Sequence, residues 1–244
     1  MKNNLPFINV YEKKNLKSKI STQLLYGETF KKVKRIGSWI KIKNDIDGYK
    51  GFIKNKKFPN LQKNTHKVFK LSANLYSKPN IKYKLKYKLS FGSRVKATIK
   101  KKNFYKFDNF WIQKKDLKHV NYADSNPFKN IKRFLNVKYK WGEKNFNGID
   151  CSGLLQIFLN FNNQFCPRDA KDQVKYFKKN VKLKNIKKND LIFWKDHVAI
   201  VLTKNKLIHA YGPLKKVVIA PIKETINRIY KTANLKVTGI KRFT

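Results

Sequence analysis

The sequence predicts an α+β protein in which two small β-barrels precede a mixed domain with helices first and an antiparallel sheet last. Three observations carry this. Residues 20–58 break into short β-type runs with turn signals about every ten positions. The following 60 residues or so repeat that plan. Beyond residue 121 helical spacing appears, and three apolar runs of strand length come after it.

The first barrel is expected over residues 1–60, with strands at Gln23–Tyr26, Thr29–Ile36, Trp39–Lys43 and Gly48–Ile53. Turns at Gly27-Glu28, Gly37-Ser38 and Asn44–Asp47 separate them. The second is expected over residues 61–120. Lys67–Leu71 opens it and Leu75-Tyr76 parallels Leu25-Tyr26. Phe91–Val95 parallels the Gly27–Val33 region, and Phe110–Gln113 parallels Gly51–Ile53. His66 and His119 mark its edges, as surface or boundary residues. The third domain, residues 121–244, starts at the turn-rich Asn121–Pro127. Ser125 or Asn126 can cap a helix with Pro127 at its first position, and Ile131, Phe134 and Leu135 share one helical face. Cys151–Asn160 reads as a second helix with Leu154, Leu155, Phe158 and Leu159 inward. Asp190–Trp194, His197–Leu202 and Lys206–Ala210 read as strands.

Composition excludes some classes and tempts towards another. The 58 Lys+Arg against 14 Asp+Glu give a formal charge of +44, which invites a polyanion partner. Only six of those cations are arginine, the residue suited to bidentate phosphate recognition, and 27 asparagines accompany 52 lysines. Lysine spread through every segment reads as compositional background, so no specific nucleic-acid partner is expected. No run of 18 apolar residues marks a membrane helix, and the first fourteen residues lack the apolar segment of a secretory signal. A cytoplasmic location with no membrane partner is the expectation. Two cysteines, Cys151 and Cys166, are too few for a disulfide framework or a cysteine-based zinc site; Cys166 reads as a packing residue.

Cys151 starts its helix just after Asp150. The positive end of the helix dipole there favours thiolate over thiol, which is what nucleophilic acyl transfer needs. His197 begins one strand and His209 ends the next. If Thr203–Asn205 forms a three-residue loop, Leu202 faces Lys206, His209 lies opposite Ala199, and both imidazoles share one face; an even-length loop without a bulge would put them on opposite faces. A cysteine, a histidine and a second polar group orienting that histidine form the logic of a papain-type site.

Tyr139-x-Trp141-Gly142, followed by Gly148-x-Asp150-Cys151-Ser152-Gly153-Leu154, resembles the nucleophile region of the NlpC/P60 cysteine peptidases. Pro167-Arg168-Asp169 with Gln173, Asp190–Trp194, His197–Ile200 and Leu207–Ala210 resemble its remaining blocks in order and spacing, over about residues 123–215. The resemblance implies a papain-like catalytic domain with Cys151 as nucleophile, His197 as general base and His209 as the group that holds the His197 ring. It implies Tyr139 near the oxyanion, Asp150 and Ser152 against substrate, and no metal or organic cofactor. Three positions depart from the family pattern: Glu143 and Asn189 where glycines are usual, and Ala170 where a small polar residue is usual. Asn tolerates the positive φ that such a glycine serves.

Both β-units resemble bacterial SH3 domains. That pairing implies a γ-D-glutamyl-L-diamino acid endopeptidase acting on small murein peptides, L-Ala-γ-D-Glu-diamino acid. Glu28 and Tyr49 of the first barrel would then grip the free amine of L-Ala. Three rivals compete: a basic nucleic-acid binder, a non-catalytic wall-binding protein, and another acyl-transfer or amidase activity on the same fold. Lysine spread over every segment and the absence of arginine-aromatic clusters argue against the first, the missing signal segment and the complete Cys–His–His set argue against the second, and product analysis separates the third.

Overall fold

The computed structural model describes residues 1–60 and 62–243; Leu61 and Thr244, at the outer edges of the expected second and third domains, lie outside the described residues. The chain divides into two compact units, Met1–Ser125 with Asn160–Asn163, and Asn126–Leu159 with Gln164–Thr244. Among the described residues no helix is long and apolar enough to cross a membrane.

The first unit is built mainly of β-strands. Strands β1 (Phe7–Tyr11), β2 (Ile20–Leu25), β3 (Phe30–Ile36), β4 (Trp39–Asn44) and β5 (Lys50–Lys54) form one antiparallel sheet in the order β2-β1-β5-β4-β3. Its core is Val10, Leu24, Phe30, Ile40, Ile42 and Ile53. The alternation in Trp39–Asn44 sets the inward face. Strand β1 has no counterpart among the expected strands, because Asn9 and the flanking Pro6 obscure its pattern. Residues 66–119 carry β6 (His66–Val68), β7 (Ser72–Tyr76), β8 (Lys84–Ser90), β9 (Arg94–Val95), β10 (Ile99–Lys101), β11 (Phe104–Phe107), β12 (Phe110–Gln113) and β13 (Leu117–His119). They build a five-stranded sheet, β10-β11-β12-β7-β8, and a three-stranded one, β13-β6-β9. Within the stretches Lys67–Leu71 and Phe91–Val95, β6 ends at Val68 and β9 starts at Arg94, after Gly92 takes a left-handed turn at φ +84°. Gly27 takes the matching turn at φ +79°, and there a Cβ would lie 1.9 Å from the Arg94 carbonyl oxygen, so only glycine fits. Tyr26 beside it belongs to the core formed with Val68, Leu75, Leu89 and Phe107, and its hydroxyl donates to Asp108.

The second unit opens on a correction. Residues 127–135 do not form an α-helix. Asn126 accepts the Phe128 N–H at 3.0 Å, and successive i+3 bonds follow, leaving only a 3₁₀ turn at Ile131–Phe134. Asn136 at φ +64° ends it. Ile131 and Phe134 still reach the core, so the apolar spacing marked burial without marking helix type. A short hairpin, β14 (Lys144–Asn145) and β15 (Gly148–Ile149), then leads into α1 (Cys151–Phe161), with Leu154, Leu155, Phe158 and Leu159 fully buried as expected. Next come α2 (Ala170–Tyr176), β16 (Leu191–Trp194), β17 (His197–Val201), β18 (Lys206–Tyr211), β19 (Lys216–Pro221), α3 (Ile222–Ala233) and β20 (Gly239–Lys241). The sheet order is β19-β18-β17-β16-β20. Helix α3 buries Ile222, Thr225 and Ile229 on one side and packs on Ile192, Val201 and Leu207 of the sheet. The helix ends at Asn234, whose φ of +52° gives it a left-handed cap.

Candidate active site

The start of α1 is built around a buried carboxylate. Asp150 accepts the Gly153 N–H at 2.7 Å on Oδ1, capping the helix, and the Gly142 N–H at 2.8 Å on Oδ2. Arg168 forks onto both oxygens, at 3.0 Å from Nη1 and 2.6 Å from Nη2, and its Nη1 also reaches Ser152 Oγ at 2.9 Å. Gln173 joins the same frame by donating to the Ser152 carbonyl at 3.0 Å. The Pro167-Arg168-Asp169 and Gln173 motif thus serves the helix start. Gly153 is required by close approach: a Cβ there would sit 2.8 Å from Asp150 Oδ1 and 3.0 Å from the Glu143 carbonyl.

The histidines come from the β17–β18 hairpin. Its register pairs Ile200 with Ile208 and Val201 with Leu207, and Leu202 N–H donates to Lys206 at 2.9 Å. Continued along the strands, that register sets Ala199 opposite His209 and His197 opposite Tyr211, the odd-loop arrangement read from the sequence. His197 Nε2 and His209 Nδ1 lie 2.9 Å apart and share one proton between them, which leaves His197 Nδ1 as the other ring nitrogen. Two aromatic residues frame the pair. Tyr211 stacks on His209 with ring centres 4.7 Å apart at 10°, and Trp194, paired across β16–β17, lies 5.5 Å from His197. Neither aromatic is marked as a site residue by the sequence motifs, and the register is the signal that places Tyr211 opposite His197.

Cys151 meets this hairpin through the residues on either side of His197. Its thiol donates to the Asp196 carbonyl at 3.8 Å, and the Val198 and Ser152 N–H groups bond to the sulfur. Burial, with a smaller push from Asp150, raises the Cys151 thiol to about 12, against the pull of those two N–H groups. Burial lowers His197 to about 4 and moves His209 down as well, helped by its neighbour His197. The resting site therefore holds a neutral thiol and neutral imidazoles at pH 7. This differs from the thiolate expected at a helix start, because desolvation of a fully enclosed sulfur exceeds the stabilisation from a few N–H dipoles.

Tyr139 is near the same centre: burial raises its hydroxyl, and the Cys151 and Asp150 charges add to the effect. Its ring would lie 3.4 Å from a Cβ placed on Gly212. Six of the expected residues, Tyr139, Asp150, Cys151, Ser152, His197 and His209, thus belong to the second unit. Glu28 and Tyr49 belong to the first. There Glu28 Oε2 accepts the Leu25 N–H at 3.0 Å, while Tyr49 is half-buried beside Asp47. Backbone bonds from Asp45 to Thr29 and from Asn44 to Tyr49 bring both to one end of the β3–β4–β5 sheet. At the departures from the family pattern, Asn189 takes φ +73° in place of glycine, and Glu143 bonds Asn145 at 3.2 Å and Lys140 at 3.6 Å. Among the described residues no group of three or more His, Cys, Asp or Glu could hold a metal ion.

A papain-like sheet-and-helix frame holding a cysteine beside a paired histidine hairpin is the NlpC/P60 fold. Residues 136–235 match the NlpC/P60 family and residues 5–57 match the bacterial SH3 domain, so the chain carries an NlpC/P60 domain and a bacterial SH3 domain. It is 34% identical over 77 residues to dipeptidyl-peptidase 6 of Lysinibacillus sphaericus, a stretch covering 32% of this chain and 28% of that one. It is 25% identical over 239 residues to the gamma-D-glutamyl-L-lysine dipeptidyl-peptidase of Bacillus cereus, covering 84% of this chain and 71% of that protein. The crystal structure of an NlpC/P60 family protein from Bacillus cereus ATCC 10987 shares the fold, with a TM-score of 0.84 at 19% identity over 99% of this chain and 98% of that one.

Proposed function

We propose that the protein is a cysteine peptidase that hydrolyses the γ-D-glutamyl–L-diamino acid bond of murein peptides with a free N-terminal L-Ala. The observation that carries this reading is the 2.9 Å His197–His209 pair, set on the hairpin whose Asp196 and Val198 backbone contacts the Cys151 sulfur. Because thiol and imidazole are both neutral at rest, His197 takes the Cys151 proton as the sulfur attacks the γ-carbonyl, rather than beforehand. His209 fixes the His197 tautomer and orientation. Backbone N–H groups at the start of α1, with Tyr139 beside them, receive the oxyanion. His197 then protonates the leaving amine and activates the water that cleaves the thioester.

In this proposal Glu28 and Tyr49 take the ammonium of L-Ala. Asp150 and Ser152 form the wall against which the glutamyl residue rests, held rigid by Arg168. The chain is read as three domains, with residues 61–120 a second SH3-like barrel; the matching glycine turns at Gly27 and Gly92 support that reading. Cell-wall peptide recycling in the cytoplasm suits an unpaired nucleophilic thiol, which a reducing compartment protects. The relatives' names support this substrate class. The test is incubation with L-Ala-γ-D-Glu-meso-diaminopimelate and detection of L-Ala-D-Glu by mass spectrometry. Product that persists with Cys151→Ala refutes the nucleophile, and equal cleavage of the N-acetylated peptide refutes the amine clamp.

A further inference from the structure

Away from Cys151, at the other end of the β17–β18 hairpin, a cavity of about 640 Å³ opens beside Lys184–Lys188, the hairpin tip and the segment after β20. His197 starts β17 and Lys204 sits in the tip, roughly 20 Å away at the usual strand rise. The lining carries Lys184, Lys187, Lys188, Lys204 and Arg242, and no acid.

Arg242 is fixed rather than adrift on the surface. Its Nε donates to Asp190 Oδ1 at 2.9 Å, and its Nη2 donates to Asp190 Oδ2 at 2.9 Å and to the Asn185 carbonyl at 3.0 Å. Asp190 is 1% exposed and also accepts the Lys187 N–H at 2.8 Å, so its charge is committed behind the wall. Nη1 of Arg242 is left without a partner among the described residues. The four lysines thus face one concavity unneutralised, where their fields add. In a chain with six arginines among 58 cations, one of the six is held in this wall.

A second cavity, of about 670 Å³, shares Lys184, Ile186 and Lys204 with the first. Leu183, Ile186, Pro221 and Ile222 give it an apolar surface, while Lys223 and a single acid, Glu224, flank it. One cavity is suited to concentrated negative charge and its neighbour to an uncharged body. A monocarboxylate uses too little of the first, and inorganic phosphate uses none of the second.

We infer that the joined cavities bind an organic diphosphate. Its phosphates lie against Lys187, Lys188, Lys204 and Nη1 of Arg242, and its flat or apolar body lies over Leu183, Ile186 and Pro221. The test is calorimetric titration of the full chain with ADP and with inorganic pyrophosphate at low salt, using wild type and the triple variant K187Q/K188Q/K204Q. All three lysines are exposed, so the variant keeps its melting temperature. ADP is expected to bind at one site and more tightly than pyrophosphate, to weaken by about tenfold or more in the variant, and to weaken with added salt. Absence of binding by both probes at millimolar concentration, or unchanged ADP affinity in the variant, overturns the site. Equal affinities for ADP and pyrophosphate overturn the role of the apolar cavity.

Discussion

Replacing Arg168 by methionine would leave the Asp150 carboxylate buried and charged against an apolar side chain. The wild-type pair is almost wholly enclosed, with Arg168 2% and Asp150 5% exposed, and the fork spans 2.6 and 3.0 Å with a third bond to Ser152. Removing one partner of such a pair costs about 3–5 kcal/mol. Asp150 would keep the Gly142 and Gly153 N–H groups, which places the loss near the lower end, at about 3 kcal/mol. For a unit of this size that corresponds to a fall in Tm of roughly 10 °C. Calorimetric melting at pH 7 of wild type, R168M, D150N and the double variant measures it. Because the double variant buries no charge, it should be less destabilised than the sum of the single variants by about 1–3 kcal/mol. A Tm for R168M within about 2 °C of wild type, or strict additivity in the cycle, would refute the claim that this pair anchors the start of α1.

The pH response follows from burial of the two histidines. His197 stays unprotonated down to about 4, whereas an unfolded histidine protonates near its ordinary value of 6.5. Between those values the unfolded chain binds the proton that the folded chain refuses, so stability rises with pH across that window and is lost as pH falls through it, by up to about 3 kcal/mol. Urea midpoints at pH 4.5 and 7 test this, and equal midpoints would contradict it. The acid limb of kcat/KM on the murein tripeptide should likewise lie below pH 5 rather than near 6.5, as a rate profile would read. Gly153→Ala should destabilise by about 2 kcal/mol or more, because backbone and a committed carboxylate crowd the added carbon; a denaturation midpoint like that of wild type would argue against the close approach. His209→Ala should lower kcat by about 100-fold with KM little changed, and His209→Gln should recover part of it through its amide. A loss seen in KM alone would assign His209 to binding rather than to orienting His197.

The histidine hairpin and helix α1 were legible in the sequence because each rests on a short-range rule. Three polar residues at 203–205 fix the register that brings His197 and His209 to one face, and the apolar set Leu154, Leu155, Phe158 and Leu159 follows one helical stripe. What escaped depends on tertiary surroundings. The helix dipole favours a Cys151 thiolate, whereas burial of the sulfur outweighs that dipole and the Val198 and Ser152 N–H groups as well. The segment after Pro127 has helical spacing, yet its i+3 bonds bury the same apolar residues in fewer turns. Strand β8 alternates Lys84, Lys86 and Lys88 with Leu85, Tyr87 and Leu89, a pattern hard to separate from the lysine background. Helix α3 carries Ile222, Ile226 and Ile229 at helical spacing, a signal present in the sequence itself. The +44 charge pointed nowhere as a total; it gains meaning only where the fold gathers four lysines around one concavity.

Tyr26 bears on modularity. It follows strand β2, yet its ring packs edge-on against Phe107 at 5.4 Å inside the next core, and the Arg94 N–H bonds the Tyr26 carbonyl at 2.8 Å. Exchange of the first barrel for a foreign one would remove a tyrosine from the hydrophobic centre of its neighbour, together with its hydrogen bond to Asp108. Recombination at this junction is therefore constrained: an incoming barrel must bring its own aromatic plug after the corresponding strand, followed by a glycine that lets the two backbones touch. The two β-units are consequently expected to melt as a single piece.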